Sequence, residues 1–484
     1  MRIFDTAVQE LKYKVLKEVV ILERTGRLSE ERHTIPKKII PGPKATMGCC
    51  IYHERAIVEE RVKLATGGDK SNPNVVEVLA SACDECPVKR FSVTDSCRGC
   101  IAQKCRIVCP VGAITADRHG STIDHEKCIE CGRCMRACPY SAIIESQRPC
   151  VKGCAVKAIS IDEHKKALID NDKCIGCGAC VYLCPFGAIV DKSYLVDVMR
   201  LLRGSKNGRE YPVYAAVAPS FAGQFSYASP GQIVSGIRRA GFSGIVEVAV
   251  GADIVADKEA EELAEKGFLT SSCCPAFVRQ IEQHFPELAS KISSNVSPMV
   301  ETARLVKARD KNAKVVFIGP CIAKKMEAKR PELAGEVDGV LTFEELQALF
   351  DGMGIQVESL PNEQLEDASS FGRKFARSGG VAAAVAEAFA EKGTAFELKP
   401  ELCSGATQCR VALLKALKGR LDANFIEGMA CEDGCMGGAA CLSHGVRNNA
   451  EIEKHGSAAR KKRIDISVKD ALIQPTAKQG KDGQ

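Results

Sequence analysis

Cysteine placement limits what this chain can fold into more than any other feature. Of 26 cysteines in 484 residues, sixteen fall between Cys83 and Cys184. Two runs there share the spacing C-x2-C-x2-C-x3-C-P: Cys128, Cys131, Cys134 and Cys138, then Cys174, Cys177, Cys180 and Cys184. Cys97, Cys100, Cys105 and Cys109 form a variant with four residues in the middle gap, and Cys150 with Cys154 look like the remnant of a fourth run. All four stretches end alike, as Cys109-Pro-Val-Gly-Ala-Ile, Cys138-Pro-Tyr-Ser-Ala-Ile, Cys154-Ala-Val-Lys-Ala-Ile and Cys184-Pro-Phe-Gly-Ala-Ile. This is an internal duplication of one small unit.

A 4Fe-4S cube needs four thiolates, and C-x2-C-x2-C wraps one cube while the cysteine before proline reaches a neighbouring one. That rule groups Cys97, Cys100 and Cys105 with Cys138, and Cys128, Cys131 and Cys134 with Cys109. A third set takes Cys174, Cys177, Cys180 and Cys154, which leaves Cys83, Cys86, Cys150 and Cys184 for a fourth. Paired C-x2-C also binds zinc, and for Cys83 and Cys86 that reading stays open. Several clusters held close together in a small, loop-rich domain serve to pass single electrons.

Composition narrows the rest. No run nears the ~18 apolar residues of a membrane span, and the charged opening has no secretory core or cleavage site. We therefore expect a cytoplasmic protein without a membrane span, whose cysteines are metal ligands before disulfides. A net charge of only +6, no Trp and 5% aromatic residues argue against a nucleic-acid binder. The length suits about three domains. We expect an N-terminal helix and extended arm over 1–75, a ferredoxin-like domain with several clusters over 76–195, an α/β domain over 205–450 and a basic polar tail over 451–484. Phe4, Val8, Leu11, Val15, Val19 and Leu22 recur at helical spacing, as in a helix docked on the protein's own core.

From residue 211 apolar runs alternate with helical segments, the pattern of buried parallel strands. Strands are expected at 211–219, 245–251 and 313–320, and helices at 233–240, 254–266, 300–309, 343–350, 381–391 and 411–417. Two strands end at Pro219-Ser220 and Pro320-Cys321, and ligands bind beyond the carboxyl ends of such strands. Cys274, Cys321, Cys431 and Cys435 come from three separate segments and suffice for one more cube; buried structural thiols are the alternative.

Three stretches resemble the signatures of FeFe hydrogenases. Thr270-Ser-Ser-Cys-Cys-Pro-Ala-Phe277 resembles T-S-C-C-P-x-W, and Gly319-Pro-Cys-Ile-Ala-Lys-Lys-Met-Glu327 resembles M-P-C-x-x-K-x-x-E. Glu427-Gly-Met-Ala-Cys-Glu-Asp-Gly-Cys-Met-Gly-Gly438 resembles E-x-M-x-C-x-x-G-C-x-x-G-G. They occur in family order, and with the ferredoxin-like region the resemblance spans 83–445. It implies an α/β catalytic domain with parallel-sheet lobes around a metal cluster, preceded by a small α+β bis-cluster ferredoxin-like domain and an N-terminal helical arm.

The resemblance also implies reversible reduction of protons to H2 at an H-cluster, a 4Fe-4S cube joined to a diiron unit bearing CO, cyanide and an azadithiolate. Cys274, Cys321, Cys431 and Cys435 would hold the cube, with Cys435 bridging to the diiron unit. Cys273 is then a free thiol that relays protons, a role suited to a group of pKa ~8.5. Lys324 faces one cyanide, as expected of a compact ammonium. Ala218, Pro219 and Ser220 line the other, Pro320 stands in the same wall, and Met429 packs on the diiron unit. The implied proton route runs Cys273, Glu259, Ser293, Glu262; Glu259 and Glu262 share one helical face at i, i+3. Taken alone, the two glutamates read as a solvated helix face beside Glu261 and Glu265.

Electrons would pass through three or four 4Fe-4S clusters to ferredoxin or a similar one-electron carrier, and maturation proteins would supply the diiron unit. Residues 1–48 carry net +4, from ten Lys/Arg and six Asp/Glu, in keeping with an acidic carrier. The chain departs from the family pattern at Gly319 (usually Met), Phe277 (usually Trp) and Ala439 (usually Gly). Two other readings stand beside the enzyme: an H2 sensor, and a non-catalytic relative such as an iron-sulfur assembly carrier. Cys49, Cys50, Cys403, Cys409 and Cys441 receive no role.

Overall fold

The computed structural model describes residues 4–473 apart from Met47, Cys49, Glu85, Pro87 and Val88. Two parallel sheets make the second half of the chain. The larger has the spatial order Gly244–Glu247, Val213–Val217, Lys314–Gly319, Gly339–Thr342. The smaller sets Phe425–Met429 between Leu269–Thr270 and Pro400–Ser404. Helices cover both, so the central strands are buried on both faces and read as unbroken apolar runs.

The helices occupy Pro230–Arg239, Pro298–Arg309, Phe343–Met353, Gly380–Lys392 and Ala406–Leu417, each starting at or slightly before the residue expected from apolar spacing. The early starts lie in polar or proline-bearing first turns, which hydrophobicity does not register. At Ser229 a capping box with Gln232 is followed by Pro230 at the first helical position. One expectation fails more clearly: the run 245–251 is not a single strand. The strand ends at Glu247, and Val248 opens the 19-residue helix Val248–Lys266. Its first two turns are buried on every side, and a fully buried helix has no apolar period to distinguish it from a buried strand.

The cysteine-rich region holds two ferredoxin-like units, one inside the other. Val76–Val78 pairs with Ile189–Asp191, and Ile159–Ile161 with Ala167–Ile169, in the outer unit. Phe91–Val93 pairs with Ile143–Glu145, and Ile114–Ala116 with Ser121–Ile123, in the inner one. The inner unit therefore enters between Cys86 and Cys150 of the outer unit. Four amide-to-sulfur hydrogen bonds explain the repeated ending: Ala113, Ala142, Ala158 and Ala188 donate to Cys109, Cys138, Cys154 and Cys184 at 3.2–3.4 Å.

The N-terminal helix, Ala7–Arg24, buries Leu11, Val15, Leu16, Val19, Val20 and Leu22 in one core with Leu346, Leu349 and Phe350. The expected extended arm is instead helical, at Ile35–Ile39 and then Ile51–Ala65. Where a polar tail is expected from 451, the helices Val446–Ser457 and Ile464–Ile473 pack down with Ile452 and Ile464 buried; residues 474–484 lie outside the described residues. Among the described residues no helix is long and apolar enough to cross a membrane.

A buried charge network joins these parts. Lys325, fully buried, donates to Asp191 Oδ2, Glu345 Oε1 and the Lys192 carbonyl at 2.8 Å each. Lys12 of the N-terminal helix donates to the same Asp191 and to Glu344. Asp191 belongs to the outer ferredoxin-like unit and Glu344 and Glu345 to the α/β domain, so the network fixes their mutual placement.

Candidate metal centre

The strand ends converge as parallel-sheet topology requires. Cys274 sits at the N-cap of Pro275–His284, just after Leu269–Thr270. Cys321 follows Lys314–Gly319, Cys431 follows Phe425–Met429, and Cys435 lies in the short turn Gly434–Gly437. These four thiols and Cys273 line one cavity of about 90 Å³ between the two sheets. Ala218, Pro219, Pro320, Lys324 and Met429 complete much of its wall. Ser220, expected there too, is buried beside it, and its hydroxyl has no hydrogen-bond partner among the described residues.

Burial pushes the Cys321 thiol up to about 11 and Cys435 up to about 12, and drives Cys431 well above the usual range; neighbouring cysteines of the same set add to each rise. Four thiolates so gathered repel one another in a dry site and become stable only around a cationic core. The donor set is soft sulfur, which suits iron-sulfur chemistry. Among the described residues no group of three or more His, Cys, Asp or Glu closes on a single ion. The residues present fit a cluster by their sulfur donors and their enclosed wall.

Lys324 donates to Glu327 Oε2 at 2.7 Å and to the Cys273 carbonyl at 3.2 Å, and its charge opposes the rise at Cys321 and Cys435. Burial, then the nearby Glu259 carboxyl, holds Cys273 well above the ordinary thiol range. Glu259 is fully buried and pushed up to about 7 by burial, against hydrogen bonds from the Ser272 amide and hydroxyl. Ser293 Oγ donates to Glu262 Oε2 at 2.8 Å, and Lys266, half exposed, donates to Glu262 from the solvent side. Cys273 and Glu259 thus adjoin the cavity and Ser293 bonds Glu262 toward the surface, while Glu259 Oε2 has no hydrogen-bond partner among the described residues. Sequence reasoning missed Ser272, whose amide and hydroxyl both donate to Glu259 Oε1 at 3.2 Å. Its place next to Cys273 in the first signature was the available signal.

The ferredoxin-like thiols fall into neighbourhoods. Cys180 lies close to Cys177, Cys174 and Cys154, and Cys177 in turn to Cys274 of the cavity. Cys150 lies close to Cys184, Cys83 and Cys86. Cys109 lines one small cavity with Cys128, Cys131 and Cys134. Cys97 and Cys105 both meet Ser121. Of the unassigned cysteines, Cys441 is buried and donates to the Met436 carbonyl at 3.3 Å, and Cys409 to the Met429 carbonyl at 3.6 Å. Cys403 is buried in the same apolar cluster as Cys409; Cys50 caps a helix; Cys49 lies outside the described residues.

Residues 211–439 match the family of the iron only hydrogenase large subunit, C-terminal domain, and residues 96–142 and 120–185 match 4Fe-4S dicluster domains. The chain is a divergent FeFe-hydrogenase-like protein. It is 31% identical to iron hydrogenase 1 of Clostridium pasteurianum over 66% of its own length and 64% of that protein's, so it spans less than two thirds of this relative. It is also 37% identical to the cytosolic Fe-S cluster assembly factor NAR1 of Eremothecium gossypii, over 21% of this chain and 22% of that one. An FeFe-hydrogenase structure from Chlamydomonas reinhardtii aligns with 57% of this chain and 93% of its own, at 19% identity and a TM-score of 0.46.

The positions that depart from the family signatures are closely packed. A Cβ at Gly319 would stand 2.6 Å from the Phe317 ring, which itself lines the cavity, so this ring takes the space a side chain at 319 would use. A Cβ at Gly428 would stand 2.2 Å from the Phe277 ring. Ala439 packs against Ile322 of the second signature.

Proposed function

We propose that this protein is a hydrogenase that interconverts protons and H2 at an H-cluster. Cys274, Cys321, Cys431 and Cys435 would hold its cube, and Cys435 would also help hold the diiron unit. The observation that carries the reading is the five-thiol cavity with a buried carboxyl next to its one spare thiol. When bound, the cluster supplies electron transfer and Lewis acidity toward H2. The chain does the rest. Lys324 presents an ammonium to anionic ligands, Ala218, Pro219, Pro320 and Met429 keep water out, and Cys273 holds a proton at Sγ. That proton passes to the Glu259 carboxylate, then by way of the Ser293 hydroxyl to Glu262 and water. A carboxyl at about 7 is matched to proton transfer in both directions near neutrality.

Electrons would travel through four 4Fe-4S clusters, held by Cys154, Cys174, Cys177 and Cys180; Cys83, Cys86, Cys150 and Cys184; Cys109, Cys128, Cys131 and Cys134; and Cys97, Cys100, Cys105 and Cys138. Ferredoxin or a similar carrier in the cytoplasm would exchange them, and maturation proteins would install the diiron unit.

The similarity to an assembly factor favours one alternative, a carrier of cubes without a diiron unit. Infrared spectroscopy of anaerobically matured protein separates the two. We expect stretches of metal-bound CO and cyanide; a cluster-loaded protein without them leaves the carrier reading in place.

A further inference from the structure

The outer ferredoxin-like unit treats one of its two thiol sets differently from the other. Arg148 is buried and points Nη1 at Cys83 Sγ, 3.8 Å away, while its Nη2 donates to the Lys165 carbonyl at 2.8 Å. Arg61 is buried as well and donates to the Gly187 carbonyl at 2.7 Å, one residue from the Ala188 amide that donates to Cys184 Sγ. Arg61 comes from the helix Ile51–Ala65, which gives that helix a reason to lie against the cysteine-rich region. Gly187 allows the approach: with φ +58 it has no Cβ, and one built there would fall 2.3 Å from the guanidinium. The Ala167 amide also donates to Cys83 Sγ, at 3.3 Å. The acidic neighbour, Asp84, is turned to His53 at 3.5 Å and is partly exposed.

The adjacent set has no such company. Cys177 and Cys180 are enclosed, and the ionisable groups that act on them are other cysteines. Among the described residues no other ferredoxin-type thiol receives a hydrogen bond from a buried arginine.

We propose that Arg61 and Arg148 make the cluster of Cys83, Cys86, Cys150 and Cys184 the electron-holding point of the wire, the ferredoxin-type centre with the most positive potential. This rests on the cluster assignment proposed above. A cluster gains one negative charge when reduced, with no bond made or broken. Two buried guanidinium groups favour that state through a low-dielectric interior, and hydrogen bonds to the sulfurs act in the same direction. Position gives the effect a use. Cys150 lies near Cys180, whose neighbour Cys177 adjoins Cys274 of the cavity, and the inner unit enters the chain between Cys86 and Cys150, so this set stands between the inner unit and the thiols next to the cavity. H2 chemistry consumes electrons in pairs while a one-electron carrier delivers them singly. A centre that retains the first electron until the second arrives resolves the mismatch.

The test is an anaerobic redox titration of the full-length, cluster-loaded protein followed by EPR, with iron content measured for every variant. Arg148→Met and Arg61→Met are expected to move the most positive ferredoxin-type step to lower potential and leave the other steps in place. Arg148→Lys keeps the charge and is expected to hold the step near its wild-type position. Cys86→Ser is expected to displace or remove that same step. The proposal is overturned by a most positive step that stays unmoved in Cys86→Ser, or that stays unmoved in both methionine variants at unchanged iron content. If a methionine variant loses iron, the Cys86→Ser titration still decides. Absence of CO and cyanide bands would end the hydrogenase reading without altering this titration, so the two failures are distinguishable.

Discussion

Ser293 Oγ donates to Glu262 Oε2 at 2.8 Å, although the two residues lie on different segments separated by the whole first signature. The bond places a hydroxyl between the buried carboxyl of Glu259 and a carboxylate that reaches the surface through Lys266. Replacing Ser293 with Ala should interrupt this line. Turnover is expected to fall ~10²–10⁴-fold, the usual share of a positioned proton-transfer group, with the infrared bands of the matured protein unchanged. Near-normal turnover would take Ser293 out of the route.

Cys273→Ala should behave alike, since Cys273 is the one cavity thiol that the proposed cube leaves free. The metal-bound CO and cyanide bands should persist while H2 production collapses. Loss of the bands themselves would mean that Cys273 is a ligand.

Buried carboxyls set a pH dependence of stability. Burial raises Asp253 from 3.8 to about 7 and Glu259 from 4.5 to about 7. A carboxyl raised on folding penalises the native state once the unfolded chain ionises. Stability therefore declines as pH climbs from about 4 to 7, and the full penalty is present above 7. Glu247, held down to about 2 by His455 and Arg373 against burial, acts only at lower pH. For Glu259 the penalty is bounded by ~3 kcal/mol. The thermal midpoint should fall from pH 5 to pH 8 in the wild type and fall less in Glu259→Gln.

Lys325→Met would leave Asp191 and Glu345 buried without their shared cation. Removing one partner of such a network typically costs ~3–5 kcal/mol. A lowered denaturation midpoint is expected, and an unchanged one would show that the network contributes no net stability.

Gly319→Met restores the usual residue of the second signature but drives a side chain into the Phe317 ring. We expect destabilisation of ~1–3 kcal/mol, relieved in part by Phe317→Ala in the same chain. A Gly319→Met variant as stable as the wild type would mean that Phe317 rotates away freely.

Two cysteine neighbourhoods are legible in spacing: the groups made by counting around Cys150 and Cys180 are near one another in the fold, whereas the Cys431 group comes from three separate segments that only the sheet topology brings together. The nesting is not legible, because the fourth run is cut between Cys86 and Cys150 and its halves look unrelated. Nor is the start of the helix at Val248, since a segment buried on all sides carries no period. Arg61 and Arg148 lie outside every motif, and only tertiary packing brings their charges to Cys184 and Cys83. Ser272 and Ser293 are ordinary serines until the helix bearing Glu259 and Glu262 is laid beside them.

Ser146 donates its amide to the Arg90 carbonyl at 2.6 Å, so the inner unit leaves and rejoins the outer one through a single doorway. Such a cassette can be gained, lost or exchanged in evolution without re-threading the polypeptide around it. The cysteine-rich cassette and the cavity between the sheets are thereby free to vary independently of one another.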